Sequence, residues 1–287
     1  MIAAPFDYVR ANTLDEALSL LAQNEDAKVL AGGHSLIPAM KLRLAQPPLL
    51  VDISRIQDLS YIRQENHQIR IGAMTTHYQI ESSDLLKNIC PLLPDCASHI
   101  GDMQVRNKGT IGGSVAHADP AGDWPAAIIA LNAELVATSK NGERTIKVDD
   151  FFVDMLTTAL EPGEILREIR INETNGRTGH AYVKMPHPAS GFAVVGVAAN
   201  LSFNGGSECK SASICITGVS SKAYRATAVE SALTGAAVND ETIFSAASHA
   251  TDGVDVNGDI FASDEYRKHL AAVYVRRAIA SAIERVR

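Results

Sequence analysis

The spacing of apolar positions changes several times along the chain, and each change marks an element. Leu14, Ala17, Leu18 and Leu21 recur at helical spacing behind Thr13, with Glu16 three positions on. That pattern predicts an amphipathic helix entered through a capping box. Ala27-Lys28-Val29-Leu30 reads as a short strand that stops at Gly32-Gly33. Pro38 is placed to open a helix running to Arg43, Pro47-Pro48 break it, and Leu49-Leu50-Val51-Asp52-Ile53 reads as a strand.

A second segment starts near Leu59. Tyr61-Ile62 and Ile69-Arg70-Ile71 flank a polar stretch and suit a hairpin. Residues 76–100 read as short helices punctuated by Pro91 and Pro94, and residues 122–131 as a further helix. Glu134-Leu135-Val136-Ala137-Thr138 then reads as a strand, Asn141-Gly142 as a tight turn, and Thr145-Ile146-Lys147-Val148 as the return strand. Residues 165–171 alternate in part and close the segment. Composition turns polar over residues 172–179, which predicts a domain boundary there. Beyond it, apolar runs over 192–201 and 213–219 surround an Asn204-Gly205-Gly206 turn, and residues 225–287 read as three helices with a break at 253–258.

Two segments repeat one design: Ala31-Gly32-Gly33-His34-Ser35 and Thr110-Ile111-Gly112-Gly113-Ser114. Each sets a glycine pair behind a short apolar or β-prone stretch and follows it with serine. Glycine reaches positive φ at little cost and, lacking Cβ, lets an anion approach the main chain. Successive N–H groups then point at phosphate, and Ser35 or Ser114 adds a hydroxyl. Two such loops suit a diphosphate. Tight turns between strands and helices use glycine pairs just as readily. Neither segment is Gly-x-Gly-x-x-Gly, and no Gly-x-x-x-x-Gly-Lys-Ser/Thr occurs, which disfavours a Rossmann dinucleotide site and a P-loop.

Composition narrows the function classes. With 46% hydrophobic and 21% charged residues, the 287-residue chain reads as globular, and its formal charge of −7 argues against non-specific nucleic-acid binding. No apolar run approaches membrane-spanning length, and the N-terminal residues lack a signal-peptide pattern, so a cytoplasmic location is expected. Cys90, Cys96, Cys209 and Cys215 lack iron–sulfur or zinc spacing and are expected to be reduced and structural. Any metal centre in an electron-transfer role must therefore belong to another chain. No hydrolase triad or His-Glu-x-x-His spacing stands out.

The longer context of the two glycine segments is more specific. Ala31-Gly32-Gly33-His34-Ser35-Leu36-Ile37-Pro38 with Lys41 and Arg43 precedes Val105-Arg106-Asn107-Lys108-Gly109-Thr110-Ile111-Gly112-Gly113-Ser114, which extends through Ala116-His117-Ala118-Asp119-Pro120-Ala121-Gly122-Asp123. In this the chain resembles, over almost its whole length, the FAD-binding medium subunits of molybdenum hydroxylases, the carbon monoxide dehydrogenase medium-chain and xanthine dehydrogenase FAD-domain type. The resemblance implies an α+β fold: a two-part FAD-binding domain of the PCMH type over residues 1–175, divided near residue 57, then a C-terminal α+β domain over 176–287 with a small antiparallel sheet and helices. It implies non-covalent FAD held by both glycine segments, so His34 is not read as an attachment point. It also implies a molybdopterin large subunit and a [2Fe-2S] small subunit as partners in a dimer of heterotrimers, with the substrate bound on another chain.

The same resemblance places further residues near the flavin. Asp123 corresponds to an aspartate beside the flavin's polar edge or ribityl chain; read alone, it is a helix N-cap. Leu166 would pack on the ring system, against the plainer reading of a strand core residue. Lys184 would bring charge to the pyrimidine end, against that of a solvated lysine. Phe192 aligns with an aromatic over the isoalloxazine face, or is an ordinary core phenylalanine. Arg106 either neutralises phosphate or braces its turn, and His117 has no role readable from sequence. The competing function is a stand-alone FAD oxidase or dehydrogenase with its own substrate pocket, for which no acid or base candidate is visible; a flavin-free assembly module is the non-enzymatic alternative.

Overall fold

A computed structural model describes residues 1–173 and 176–286. Residues 174 and 175, inside the polar stretch expected to divide the chain, lie outside the described residues.

The first layer is a three-stranded parallel sheet in the order Asp7–Arg10, Leu49–Asp52, Lys28–Leu30. Its central strand is buried along its whole length, and helix Leu14–Gln23 covers it with Ala17, Leu18 and Leu21. Thr13 caps that helix by accepting the Glu16 N–H at 3.1 Å, but the Glu16 carboxylate accepts from the Asn12 N–H at 2.8 Å instead of closing the box on Thr13. The next helix spans Leu36–Lys41, two residues ahead of the expected start. Pro38 falls in its first turn, where a missing N–H costs no intrahelical bond.

The second layer is an antiparallel five-stranded sheet in the order Ile62–Glu65, Gln68–Gly72, Ile165–Asn172, Glu134–Ser139, Gly142–Lys147. Asn66 and His67 both take positive φ (53° and 59°), the geometry of a two-residue hairpin turn. In the other hairpin Ser139 pairs with Gly142, so Lys140 and Asn141 are the turn residues, and Gly142 follows at φ 127°. The signal marked the right hairpin one residue late.

Short helices lie against this sheet, and helix Asp123–Ala130 is buried at every position. A helix apolar on all sides needs cover on all sides. Here that cover includes Ile69, Ile169 and Ile171 of the five-stranded sheet and Ala198 and Cys215 of a third sheet, all in one hydrophobic cluster. The third sheet is antiparallel, in the order Arg177–Pro186, Ala193–Phe203, Cys209–Thr217, Tyr224–Arg225. Helices Thr227–Leu233, Asp240–Ala247 and Asp264–Glu284 complete this α+β part. Among the described residues no helix is long and apolar enough to cross a membrane.

Candidate cofactor site

The two glycine segments, about 75 residues apart, meet in space. A Cβ on Gly32 would lie 2.8 Å from Gly109 Cα and closer still to the Lys108 carbonyl oxygen, and one on Gly113 would lie 3.4 Å from Ala31 Cβ. Main chain thus packs on main chain, an approach that only glycine allows at Gly32.

The first segment leaves strand Lys28–Leu30, turns through Gly33 at φ 76°, and enters helix Leu36–Lys41. Among the described residues the N–H groups of Gly32, Gly33, His34 and Ser35 donate to no protein acceptor, and Ser35, at the N-cap position, makes no side-chain cap bond. Such a row of free donors in a half-buried turn can receive an anion. His34 stands exposed at its edge.

The second segment is not a loop. Thr110 caps helix Ile111–His117, and Gly112 and Gly113 form its first turn. The Ile111 N–H donates to Thr75 O at 3.0 Å, Gly112 N–H to Ala73 O at 2.9 Å, and Gly113 N–H to Thr110 Oγ1 at 3.1 Å. The donors expected there are therefore already engaged. Gly112 instead permits close packing, since a Cβ would come within 2.6 Å of the Ala73 carbonyl oxygen. Ser114, half-buried, is the polar side chain this segment offers alongside the cradle.

Behind the second segment lies a pair that sequence reasoning missed. Trp124, fully buried, donates Nε1–H to His77 Nδ1 at 3.0 Å. A Cβ on Gly109 would lie 2.6 Å from His77 Nε2, so the imidazole also props the chain just before Thr110. Burial, reinforced by the nearby positive groups His34 and Arg106, pushes the His77 imidazole down to about 4. The unfolded chain takes up this proton below about 6.5 and the folded chain only below about 4, so stability falls as pH drops through that window. The expected loss is about 3 kcal/mol. Denaturant unfolding at pH 7 and 4.5 checks this: His77→Gln should flatten the difference, and an unchanged pH dependence in that variant would contradict the assignment.

Asp123 is the first residue of its helix, and the N-cap position belongs to Gly122. Its carboxylate, 6% exposed, accepts from Tyr182 Oη–H at one oxygen and from Lys184 Nζ at 3.0 Å at the other. Burial pushes the Asp123 carboxyl up, opposed by the Lys184 charge and the Tyr182 hydroxyl. Lys184 is not a solvated surface lysine: its side chain is 2% exposed. Leu166 lies buried on strand Ile165–Asn172 within the main hydrophobic cluster, beside a bulge where Ala137 pairs Leu166 and Val136 pairs Glu168. Phe192 is 44% exposed, so it is not a core residue. Arg106 braces its turn, donating to Glu81 Oε2 at 2.7 Å and to the carbonyls of Ile100 and Gly101 at 3.2 Å each. His117 is half-buried at the end of its helix. All four cysteines are free and buried, and burial pushes the Cys90 thiol up to about 12. Among the described residues no group of His, Cys, Asp or Glu forms a metal cluster.

Known proteins resemble this chain over its length. Residues 4–173 match the family model described as the FAD binding domain in molybdopterin dehydrogenase, and residues 180–282 that of the CO dehydrogenase flavoprotein C-terminal domain. The chain belongs to this flavoprotein family. It is 39% identical to the carbon monoxide dehydrogenase medium chain of Hydrogenophaga pseudoflava over 283 residues, covering 98% of each chain. It is 36% identical to the glyceraldehyde dehydrogenase medium chain of Sulfolobus acidocaldarius, covering 97% of this chain and 98% of the relative. A solved structure of the Hydrogenophaga pseudoflava carbon monoxide dehydrogenase matches with a TM-score of 0.96 at 41% identity, covering 100% of both chains.

As a member of the molybdopterin-dehydrogenase flavoprotein family, the chain is an FAD-binding oxidoreductase component. The residues present fit the cofactor: four free N–H groups in a row supply the donor set that a diphosphate requires. The His77–Trp124 prop and the Tyr182 hydroxyl carry no local motif. His77 reads only as the residue after a helix-capping threonine, and what it touches is 47 positions away.

Proposed function

We propose that this chain is the FAD-carrying electron-transfer subunit of a molybdenum hydroxylase complex, accepting electrons from a [2Fe-2S] small subunit and delivering them to an external acceptor. The observation that carries this is the row of unpartnered N–H groups at Gly32, Gly33, His34 and Ser35, backed directly by the second glycine segment. In this reading Ala31 to Ser35 hold the FAD diphosphate. Thr110, Ile111, Gly112, Gly113 and Ser114 form the opposing wall, with the Ser114 hydroxyl as donor. Asp123, at a helix N-terminus, fixes the polar side of the cofactor, while Leu166 and Phe192 bound its ring system. FAD supplies the redox chemistry, taking up two electrons one at a time. The protein's share is to bind, orient and shield, and no side chain acts as acid or base on an organic substrate.

Substrate oxidation then belongs to a molybdopterin large subunit, within a cytoplasmic dimer of heterotrimers. Carbon monoxide and glyceraldehyde, named for two relatives, are both compatible with this subunit. The domain division proposed is residues 1–175, parted near residue 57, and 176–287. Purifying the chain alone and with iron–sulfur and molybdenum partner subunits, then recording visible spectra, tests the assignment. One bound FAD that is reduced by substrate only in the complex is expected. Turnover of an organic substrate by the isolated yellow protein would instead establish a stand-alone oxidase.

A further inference from the structure

Among the described residues no large apolar residue is more exposed than Ile260, at 91%, and its neighbour Phe261 is 65% exposed. Single apolar residues scattered over a surface are ordinary, but two adjacent ones on a rigid tip are not. They stand in the connection between helices Asp240–Ala247 and Asp264–Glu284. The Asp259 carboxylate accepts the Phe261 and Ala262 N–H groups at 2.8 and 2.9 Å, and the Asp259 N–H donates to Ala262 O at 2.9 Å. The other carboxylate oxygen accepts from Arg267 Nη2 at 2.6 Å.

Arg267 is itself buried, 8% exposed, and gives Nη1 to Val194 O at 2.7 Å and to Gly218 O. The tip is thereby fastened to strand Ala193–Phe203 and to the residue after strand Cys209–Thr217. The Asn257 N–H, donating to Val219 O at 2.9 Å, pins the approach to the turn. The protein accepts a cost for this anchor, because Arg267 Nε is buried with no hydrogen-bond partner among the described residues. What the anchor holds in place is a turn whose two central side chains face water. A tip already ordered on folding loses little further entropy when a partner covers it.

Charge narrows what that partner is. Between Arg225 and Arg267 the chain has eight Asp and Glu and no Lys or Arg. Asp255, Asp264 and Glu265, close in sequence on either side of the tip, are exposed. Lys268, the first basic residue beyond Arg267, sits against Asp264 at 3.4 Å. An apolar centre with an acidic rim is complementary to an apolar socket rimmed by Lys and Arg. A second copy, carrying the same formal charge of −7, is disfavoured as the occupant.

We propose that Ile260 and Phe261 form the anchor by which this chain docks into a basic-rimmed apolar socket on a partner subunit. This rests on the reading of the chain as one subunit of a complex, and deepens it.

The test uses the full flavin-loaded chain, assembled with the iron–sulfur and molybdenum subunits and followed by sedimentation and by association kinetics. Ile260→Ser and Phe261→Ser should each weaken assembly at least about 10-fold, chiefly through faster dissociation. Asp255→Lys, and salt raised from about 0.05 M to about 0.5 M, should each slow association at least about 5-fold. Both serine variants should keep the FAD content and Tm of the wild type, since the side chains they replace are exposed. Assembly of both at wild-type affinity would overturn the proposal, and so would association that salt and Asp255→Lys leave unchanged. Self-association of the isolated chain, abolished by the serine changes while the complex is unaffected, would make the occupant a second copy and equally overturn it. A wild type that binds no FAD, or assembles with neither subunit, would instead remove the reading beneath.

Discussion

Gly32→Ala is expected to strip the chain of FAD while leaving it folded. The added Cβ would meet the carbonyl oxygen of Lys108 and the Cα of Gly109, both main-chain atoms that cannot rotate aside. The two motifs must then separate, and the free N–H groups of Gly32, Gly33, His34 and Ser35 move with the first of them. A hydrogen bond to a charged acceptor contributes about 1.5–3 kcal/mol, so losing two costs on the order of 3–6 kcal/mol, or at least about 100-fold in Kd. The fold should survive because the segment is a half-buried turn outside the hydrophobic clusters. Gly205→Ala is the control, since among the described residues nothing lies within 4 Å of a Cβ there. Flavin content after gel filtration checks the pair: Gly205→Ala should stay yellow and Gly32→Ala should emerge colourless. A Gly32→Ala protein with full flavin would mean that the contact between the motifs does not shape the site.

Trp124→Ala is expected to have the largest effect on stability. Trp124 is among the largest fully buried side chains, on a helix buried at all eight positions. Truncating a buried tryptophan costs about 3–5 kcal/mol through lost transfer energy and the cavity left behind. The change also orphans His77 Nδ1, which loses its only hydrogen-bond donor among the described residues. Since His77 props Gly109, the damage should reach the cofactor site as well as the core. Urea unfolding should show a midpoint shift matching about 4 kcal/mol at an unchanged slope. A shift under about 1 kcal/mol would mean that this helix is not central to the packing.

Much of the fold was legible because its signals are local. The helix at Leu14–Gln23, the hairpin through Asn66 and His67, and the sequence of short helices before residue 100 follow from period and punctuation within ten-residue windows. Strand Arg177–Pro186 was not read as a whole, because Ala181, Tyr182 and Lys184 break its alternation: Tyr182 turns its hydroxyl to Asp123 and Lys184 is buried for its charge pair. Helix Met103–Lys108 buries none of its residues and so carries no apolar stripe to read.

The site was legible in its motifs and not in its division of labour. Two glycine pairs of like appearance perform different tasks: the first leaves its N–H groups free, and the second spends them on Ala73, Thr75 and Thr110. Which glycine donates and which merely makes room depends on what lies across from it, and that is set by segments far away in the chain. The same holds for Lys184, whose three acceptors come from positions 99, 123 and 191. A lysine in a strand gives no local sign of such partners.

On the proposed reading the free N–H groups of Gly32 to Ser35, backed by the second glycine segment, hold a flavin dinucleotide by its diphosphate. Titrating the flavin-depleted chain with FAD and, in parallel, with riboflavin tests it most directly. Riboflavin has the ring system and ribityl chain but no phosphate to fill the cradle. FAD should bind at least about 100-fold more tightly, the margin expected from two or more charge-assisted hydrogen bonds. Equal affinity for the two would show that the ring and not the diphosphate is what this chain holds, and would contradict the account.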